Sequence, residues 1–224
     1  MSKIFFNSNE LDRIKKAVKE AESKTSGEIA TAFIRQCDSY ASYEMTFAFF
    51  TGFIYFMVLM FFVHPIELRM QEIFWGYSAS YIVMFYGFTI FVVMAFAYLA
   101  ANMPWLDRLI IPKKVMARKV NERAVRHFIE AGVCNTRDRT GILIFISFLE
   151  RRVELLADKG IYDKIPPEKW EYIVSVIIDG MRTGKLTEHI TEAIHECGVL
   201  LAEHYPIQPD DVNELKDDLH ILAR

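Results

Sequence analysis

Asp138 and Asp158 stand near the two ends of the stretch TRDRTGILIFISFLERRVELLADKGI, Thr136 to Ile161. Carboxylates are hard oxygen ligands, and two of them with nearby main-chain carbonyls suit Ca2+ or Mg2+. For the pair to act together, the chain between them must double back. ILIFISF is apolar on both faces, as a central strand is. RRVELLAD alternates, with Arg152 and Glu154 on one side and Val153, Leu155 and Ala157 on the other. The Phe148–Arg151 link is short enough for an antiparallel hairpin, which returns Asp138 and Asp158 to one edge of the sheet. A plainer role stays open for each. Asp138 can pair with Arg137 or Arg139 or cap a turn, and Asp158 begins an Asp-Lys-Gly turn.

Other chemistries find less support. A thiolate phosphatase loop needs an arginine after Cys and five further residues, and from Cys134 that position is Thr140. Asp138 is followed by Arg139 and Thr140, so no Asp-x-Asp pair offers an aspartyl-phosphate route. Neither a Gly-x-Ser-x-Gly elbow nor a Walker A loop is present. His189, Glu192, His195, Cys197 and His204 crowd one segment and raise the question of zinc. At helical spacing, however, Cys197 shares the face of Ile190, Ile194 and Leu201, a core stripe. DDVNELKDD lacks the glycine and alternate-ligand spacing of an EF-hand loop. It reads as a short acidic helix over Asp210–Leu222, with Val212, Leu215 and Leu219 inward.

The elements that must position these residues are two populations in one chain. Hydrophobic residues make up 52% of the 224 and charged ones 25%. Met45–Ile66 and Ile73–Leu106 contain no Asp, Glu, Lys or Arg and are apolar on every helical face, long enough for two spans of a bilayer core. Trp75, Tyr77 and Trp105 fall at the ends of these runs, where amphipathic rings sit at the headgroup level. Ala48/Gly52 and Ala97/Ala101 have the four-residue spacing that lets such helices pack closely. The segment between the runs carries one Arg against two Glu, while the one after the second is dense in Lys and Arg. That bias expects Met1–Glu44 and Arg108–Arg224 in the cytoplasm, a short external loop around Glu67–Glu72, and a multi-pass protein of the inner (plasma) membrane. Three widely spaced cysteines fit a reducing compartment. A net charge of -3, with no interleaving of basic and aromatic residues, speaks against a nucleic-acid partner.

The polar remainder reads as one α/β domain interrupted by the hairpin: residues 1–39, then a hairpin over 40–107 with spans at about 45–64 and 79–102, then 108–224. Asn7 and Glu10 form a capping box for a helix over Ser8–Ser23. GEIATAFI is a buried strand, and Pro112 precedes a helix over Lys113–Glu130 that ends before Gly132. Pro167 opens another helix, and a further one runs from Leu186 to His204. On the helix over Lys113–Glu130, Met116, Val120, Ala124 and Phe128 form the inward stripe. Lys113, Lys114, Arg118, Lys119, Arg123 and Arg126 supply charge that either meets anionic headgroups or is simply solvated and sets topology.

SGEIA, the Thr136–Ile161 stretch, WEYIVSVIIDGMRTGK, AIHECGVLLAEHYP and DDVNEL, in this order, resemble the TPM-domain family of bacterial membrane proteins and their relatives in thylakoids and animals. The match spans most of the chain outside Tyr40–Pro112. The resemblance implies a small α/β sandwich whose sheet is flanked by helices; the commonest plan of the family places a spanning helix after the domain, whereas here a two-helix transmembrane hairpin is inserted within it. Members are described as acid phosphatases, divalent-metal binders and assembly or receptor accessories. The leading expectation is a membrane-anchored accessory or scaffold module that docks an unidentified membrane protein or binds a ligand or divalent cation. The alternative is a metal-assisted phosphatase. Topology is directly testable: a cysteine at Arg69→Cys should label with an impermeant thiol reagent in intact cells, whereas one at Ser2→Cys should not. The reverse pattern would overturn the cytoplasmic reading.

Overall fold

The computed structural model describes residues 6–162, 164–208 and 211–223. The chain divides into two units, Met1–Asp38 with Lys114–Arg224, and Ser39–Lys113.

In the first unit, β1 (Glu28–Ile34) and β2 (Gly141–Ser147) run parallel, from Glu28 opposite Gly141 to Ile34 opposite Ser147. β3 (Arg152–Ala157) returns antiparallel to β2, as the hairpin reading expects, with Ile142 opposite Ala157. Every residue of β1 and β2 is buried. Their alternate side chains therefore feed two cores. Ile29, Phe33, Ile142, Ile144 and Ile146 pack against α1 (Ser8–Glu22), α8 (Pro167–Thr183) and α9 (Leu186–His204). Ala30, Ala32, Ile34, Leu143 and Phe145 pack against Val120 and Ala124 of α6 (Lys113–Glu130). The sheet lies between helices on both faces. At the start of α1, Asn7 Oδ1 accepts the Glu10 N–H at 2.8 Å and the Glu10 carboxylate accepts the Asn7 N–H at 2.7 Å, the reciprocal box that satisfies two orphan donors. After α6, Gly132 adopts φ +74°, a left-handed conformation that glycine enters without steric cost.

The second unit is helical: α2 (Ala41–Phe61), α3 (Val63–Ile73), α4 (Ala79–Ala101) and α5 (Pro104–Ile110). α2 and α4 are long and apolar enough to cross a membrane. They meet at small residues: a Cβ on Gly52 would stand 2.4 Å from Met94 Cγ, so no larger side chain fits without displacing it. Phe49, Phe53, Phe88, Phe91 and Phe96 are exposed.

The segment between the apolar runs, around Glu67–Glu72, is the helix α3; Pro65 sits in its first turn, where a missing N–H costs nothing. One expectation needs correction. The acidic helix over Asp210–Leu222 does not form. Asp210 lies outside the described residues, residues 211–219 are irregular, and His220–Leu222 is a fourth strand, β4, parallel to β1. The sheet order is β3-β2-β1-β4. Of the three side chains expected inward, Leu219 is buried, Leu215 is half-buried and Val212 is exposed.

Ile144 sits in mid-β2 with no exposed surface. Ile144→Asp leaves a charge without a partner in the larger core and should cost about 3–5 kcal/mol, enough to unfold most of the first unit. Wild-type resistance in a proteolysis assay would contradict this placement.

Candidate functional site: an acidic edge of the sheet

The register gathers the polar residues at the edge where β1 and β2 begin and β3 ends. Glu28 lies opposite Gly141, and the Asp158 N–H donates to the Gly141 carbonyl at 3.0 Å. Neighbouring strands are about 4.8 Å apart, so Asp158, Gly141 and Glu28 stand in a row along this edge. Glu28 is the one charged residue of β1, 4% exposed. Its carboxylate accepts the backbone N–H of Glu214 at 3.1 Å and of Leu215 at 3.2 Å. Glu214 in turn accepts the Arg137 N–H on both oxygens, at 3.1 and 3.0 Å. The Thr140 hydroxyl donates to the Ser26 carbonyl at 3.1 Å. These bonds stitch the segment before β4 to the starts of β1 and β2.

Beside them is a cleft of about 300 Å3 lined by Lys19, Glu22, Ser23, Glu28, Asp211 and Asn213. Glu22 ends α1 and accepts the Ile29 N–H on Oε1 at 2.9 Å, while its Oε2 is buried without a hydrogen-bond partner. Burial pushes the Glu22 carboxyl up to about 8, the Ile29 N–H opposes the rise, and Glu28, Asp217 and Asp211 add to it. Burial also raises Glu28, against the pull of its two backbone donors, with Glu214 and Asp211 adding to the rise. The cleft therefore holds a carboxyl whose proton affinity is raised, beside Glu28, Asp211 and the Lys19 ammonium.

The pair read from sequence is brought only partly together. The Asp138 and Asp158 turns do pack against each other: a Cβ on Gly160 would lie 3.0 Å from the Arg139 carbonyl. The Asp138 carboxylate is 3.8 Å from the Arg137 guanidinium. Asp158 is 7% exposed; its Oδ1 accepts the Lys159 N–H at 2.6 Å at the start of α7 (Lys159–Tyr162), and its Oδ2 is buried without a partner. Among the described residues, no three His, Cys, Asp or Glu side chains gather as a metal would need, on α9 or elsewhere. Cys197 is fully buried in the core. Sequence reasoning missed Glu22, Glu28 and Asp211. The available signal was Glu28 itself, a lone charge in a strand otherwise written for burial.

At the opposite end of β1 and β2, Ser147 donates to Glu150, Cys37 Sγ lies 3.3 Å from Ser147 Oγ, and the Cys37 N–H donates to Glu150 at 3.0 Å. Burial pushes the Cys37 thiol up to about 12, which leaves it protonated and a poor nucleophile. Along α6, Lys114, Arg118 and Arg126 are exposed, as is Lys113 where the helix begins. Lys119 pairs with Asp38 at 2.7 Å, Arg118 with Glu122 at 3.7 Å, and Arg123 with Glu130 at 3.4 Å, so part of the basic set is neutralised within the unit.

No protein-family model and no curated protein matches the chain. Among solved structures, the NMR structure of the BA42 protein from the psychrophilic bacterium Bizionia argentinensis is similar, with a TM-score of 0.58, 19% identity, and coverage of 99% of this chain and 99% of that chain. The likeness is one of fold. Fold and edge together define a mixed α/β sandwich that carries two long apolar helices and an acidic cleft.

Because the folded chain holds a proton on Glu22 that the unfolded chain gives up above 4.5, stability should fall as pH rises from about 4.5 to about 8. Glu22→Gln should flatten most of that dependence in thermal melts of the full chain in detergent. An unchanged slope would place the titrating group elsewhere.

Proposed function

We propose that this protein is a membrane-anchored accessory module. In this reading, α2 and α4 span the bilayer as a hairpin, both termini lie in the cytoplasm, and the α/β unit docks a membrane protein while holding a divalent cation at its acidic edge. The resemblance of Thr136–Ile161 and the segments around it to the TPM-domain family supports the module. The exposed Phe side chains of α2 and α4 support the span, because only lipid or protein contact removes such surface from water. Lys113, Lys114, Arg118 and Arg126 follow the second apolar helix closely in sequence, where each basic residue near anionic headgroups contributes about 1 kcal/mol.

The observation that carries the cation reading is the buried, unpartnered Oε2 of Glu22 beside Glu28 and Asp211. An ion there replaces the proton on Glu22 and takes Glu22 Oε2 with water oxygens completing its shell, because Glu22, Glu28 and Asp211 do not gather into a three-carboxylate cluster and both Glu28 oxygens accept backbone N–H groups. Asp138 and Asp158, with the second orphaned oxygen, form a further acidic position along the same edge.

Calorimetric titration of Ca2+ and Mg2+ into the full chain should give a single site that Glu22→Gln weakens at least tenfold and Asp138→Asn leaves intact. The reverse ranking would assign the ion to Asp138 and Asp158. If neither ion binds at millimolar concentration, cation binding is wrong and docking alone remains. Hydrolysis of p-nitrophenyl phosphate dependent on either ion would establish the phosphatase instead.

A further inference from the structure

His127 lies on α6 with 6% of its surface exposed, and His220 is the first residue of β4. His127 Nε2 and His220 Nδ1 are 3.4 Å apart, and the rings meet edge to face with centroids 5.5 Å apart. Such a contact is favourable only when one nitrogen carries a proton and the other a lone pair. Two protonated rings set N–H against N–H and place two positive charges side by side, on a buried His127 and a half-buried His220. The surroundings do little to offset them. α6 contributes Arg123 and Glu130, already paired with each other at 3.4 Å. β2 contributes Phe145, whose ring lies 6.4 Å from that of His127. The segment before β4 contributes Glu214, bound to the Arg137 N–H, and Lys216, which adds positive charge; both line a cavity of about 350 Å3 with His220 and Glu130.

β4 is short: its three residues pair with Ala32, Phe33 and Ile34 of β1, Ile221 is exposed and Leu222 packs on the smaller core, while the residues just before it are held by the buried Leu219 and by Lys15–Asp218 at 2.9 Å. The same segment supplies Asp211 and Asn213 to the acidic cleft.

We propose that His127 and His220 form a proton-operated latch: with at least one ring neutral, β4 stays docked on β1, and protonation of both rings releases β4 from β1, while the segment before it stays tied through Glu28. Burial, then His220, then Arg123 lower the affinity of His127 for a proton, with Glu130 opposing, so the second proton enters below the ordinary histidine value of 6.5. The sign follows from linkage. Released β4 frees His127 to take up a proton that the docked state resists, so docking is secure above 6.5 and weakens as pH falls below it.

Hydrogen exchange of the full chain in detergent, without added metal, reads the latch directly. After correction for intrinsic exchange, protection of residues 220–222 should drop about tenfold or more between pH 7.5 and 5.0, while β1 and β2 keep theirs. His127→Gln and His220→Gln, which cannot acquire charge, should each remove the drop. If one variant fails to dock β4 at pH 7.5, the other decides. Unchanged protection in the wild type, loss spread equally over β1 and β2, or the same pH-dependent loss in the variants would overturn the proposal. Failure of Ca2+ to bind in the separate titration leaves this readout untouched.

Discussion

The parallel pairing of β1 with β2 is the constraint on which the rest depends. The two strands are separated in sequence by the whole helical unit and α6, so the pairing forms only after that long loop is closed. What repays the closure is the burial of both faces of both strands. Every residue of the two cores lies outside residues 39–113, so the sandwich is complete without the insertion. The ends of the interruption are held as well. The Phe148 and Leu149 N–H groups donate to the Ile34 and Arg35 carbonyls at 3.0 and 2.9 Å, and Asp38 pairs with Lys119 just where the chain leaves and returns. That pair, with Glu122 behind it, keeps the Lys119 ammonium raised above its ordinary value.

The same pairing makes the acidic edge. A carboxylate at the first position of a buried strand is tolerated only if hydrogen bonds replace the water it loses, and Glu28 finds two backbone donors in the segment before β4. Those bonds draw Asp211 and Asn213 over the end of α1, which buries Glu22 and raises its proton affinity. Strand pairing thus leads to a buried tie, and the tie to a perturbed carboxyl. The histidine contact lies at the far end of the same segment, where β4 meets α6.

Where local pattern and tertiary demand agreed, the sequence was readable. The capping box at Asn7, the inward stripe of α6 and the alternation in β3 each specify an element, and the structure contains those elements. The C-terminal segment read falsely because its local signals, acidic residues with Val212, Leu215 and Leu219 at helical spacing, were overruled from a distance. The open edge of β1 offers a ladder to His220–Leu222, and Glu28 claims the Glu214 and Leu215 amides. No local rule contains either partner. Of the acidic edge, the sequence pointed only to Asp138 and Asp158, whose turns pack together through one hairpin while Asp138 lies against Arg137 and Asp158 accepts the Lys159 N–H. Glu22, Glu28 and Asp211 come together through a register set between strands remote in sequence, and Glu22 matters by its burial, which composition does not reveal.

The central claim is that one α/β domain is split by an inserted helical unit. The direct measurement is the thermal unfolding of a chain in which residues 39–113 are replaced by a short glycine-rich loop joining Asp38 to Lys114. The account predicts a water-soluble protein with one cooperative transition and the mixed α/β circular dichroism of the first unit. A chain that is unfolded or aggregated without the helices, and shows no transition, would contradict it.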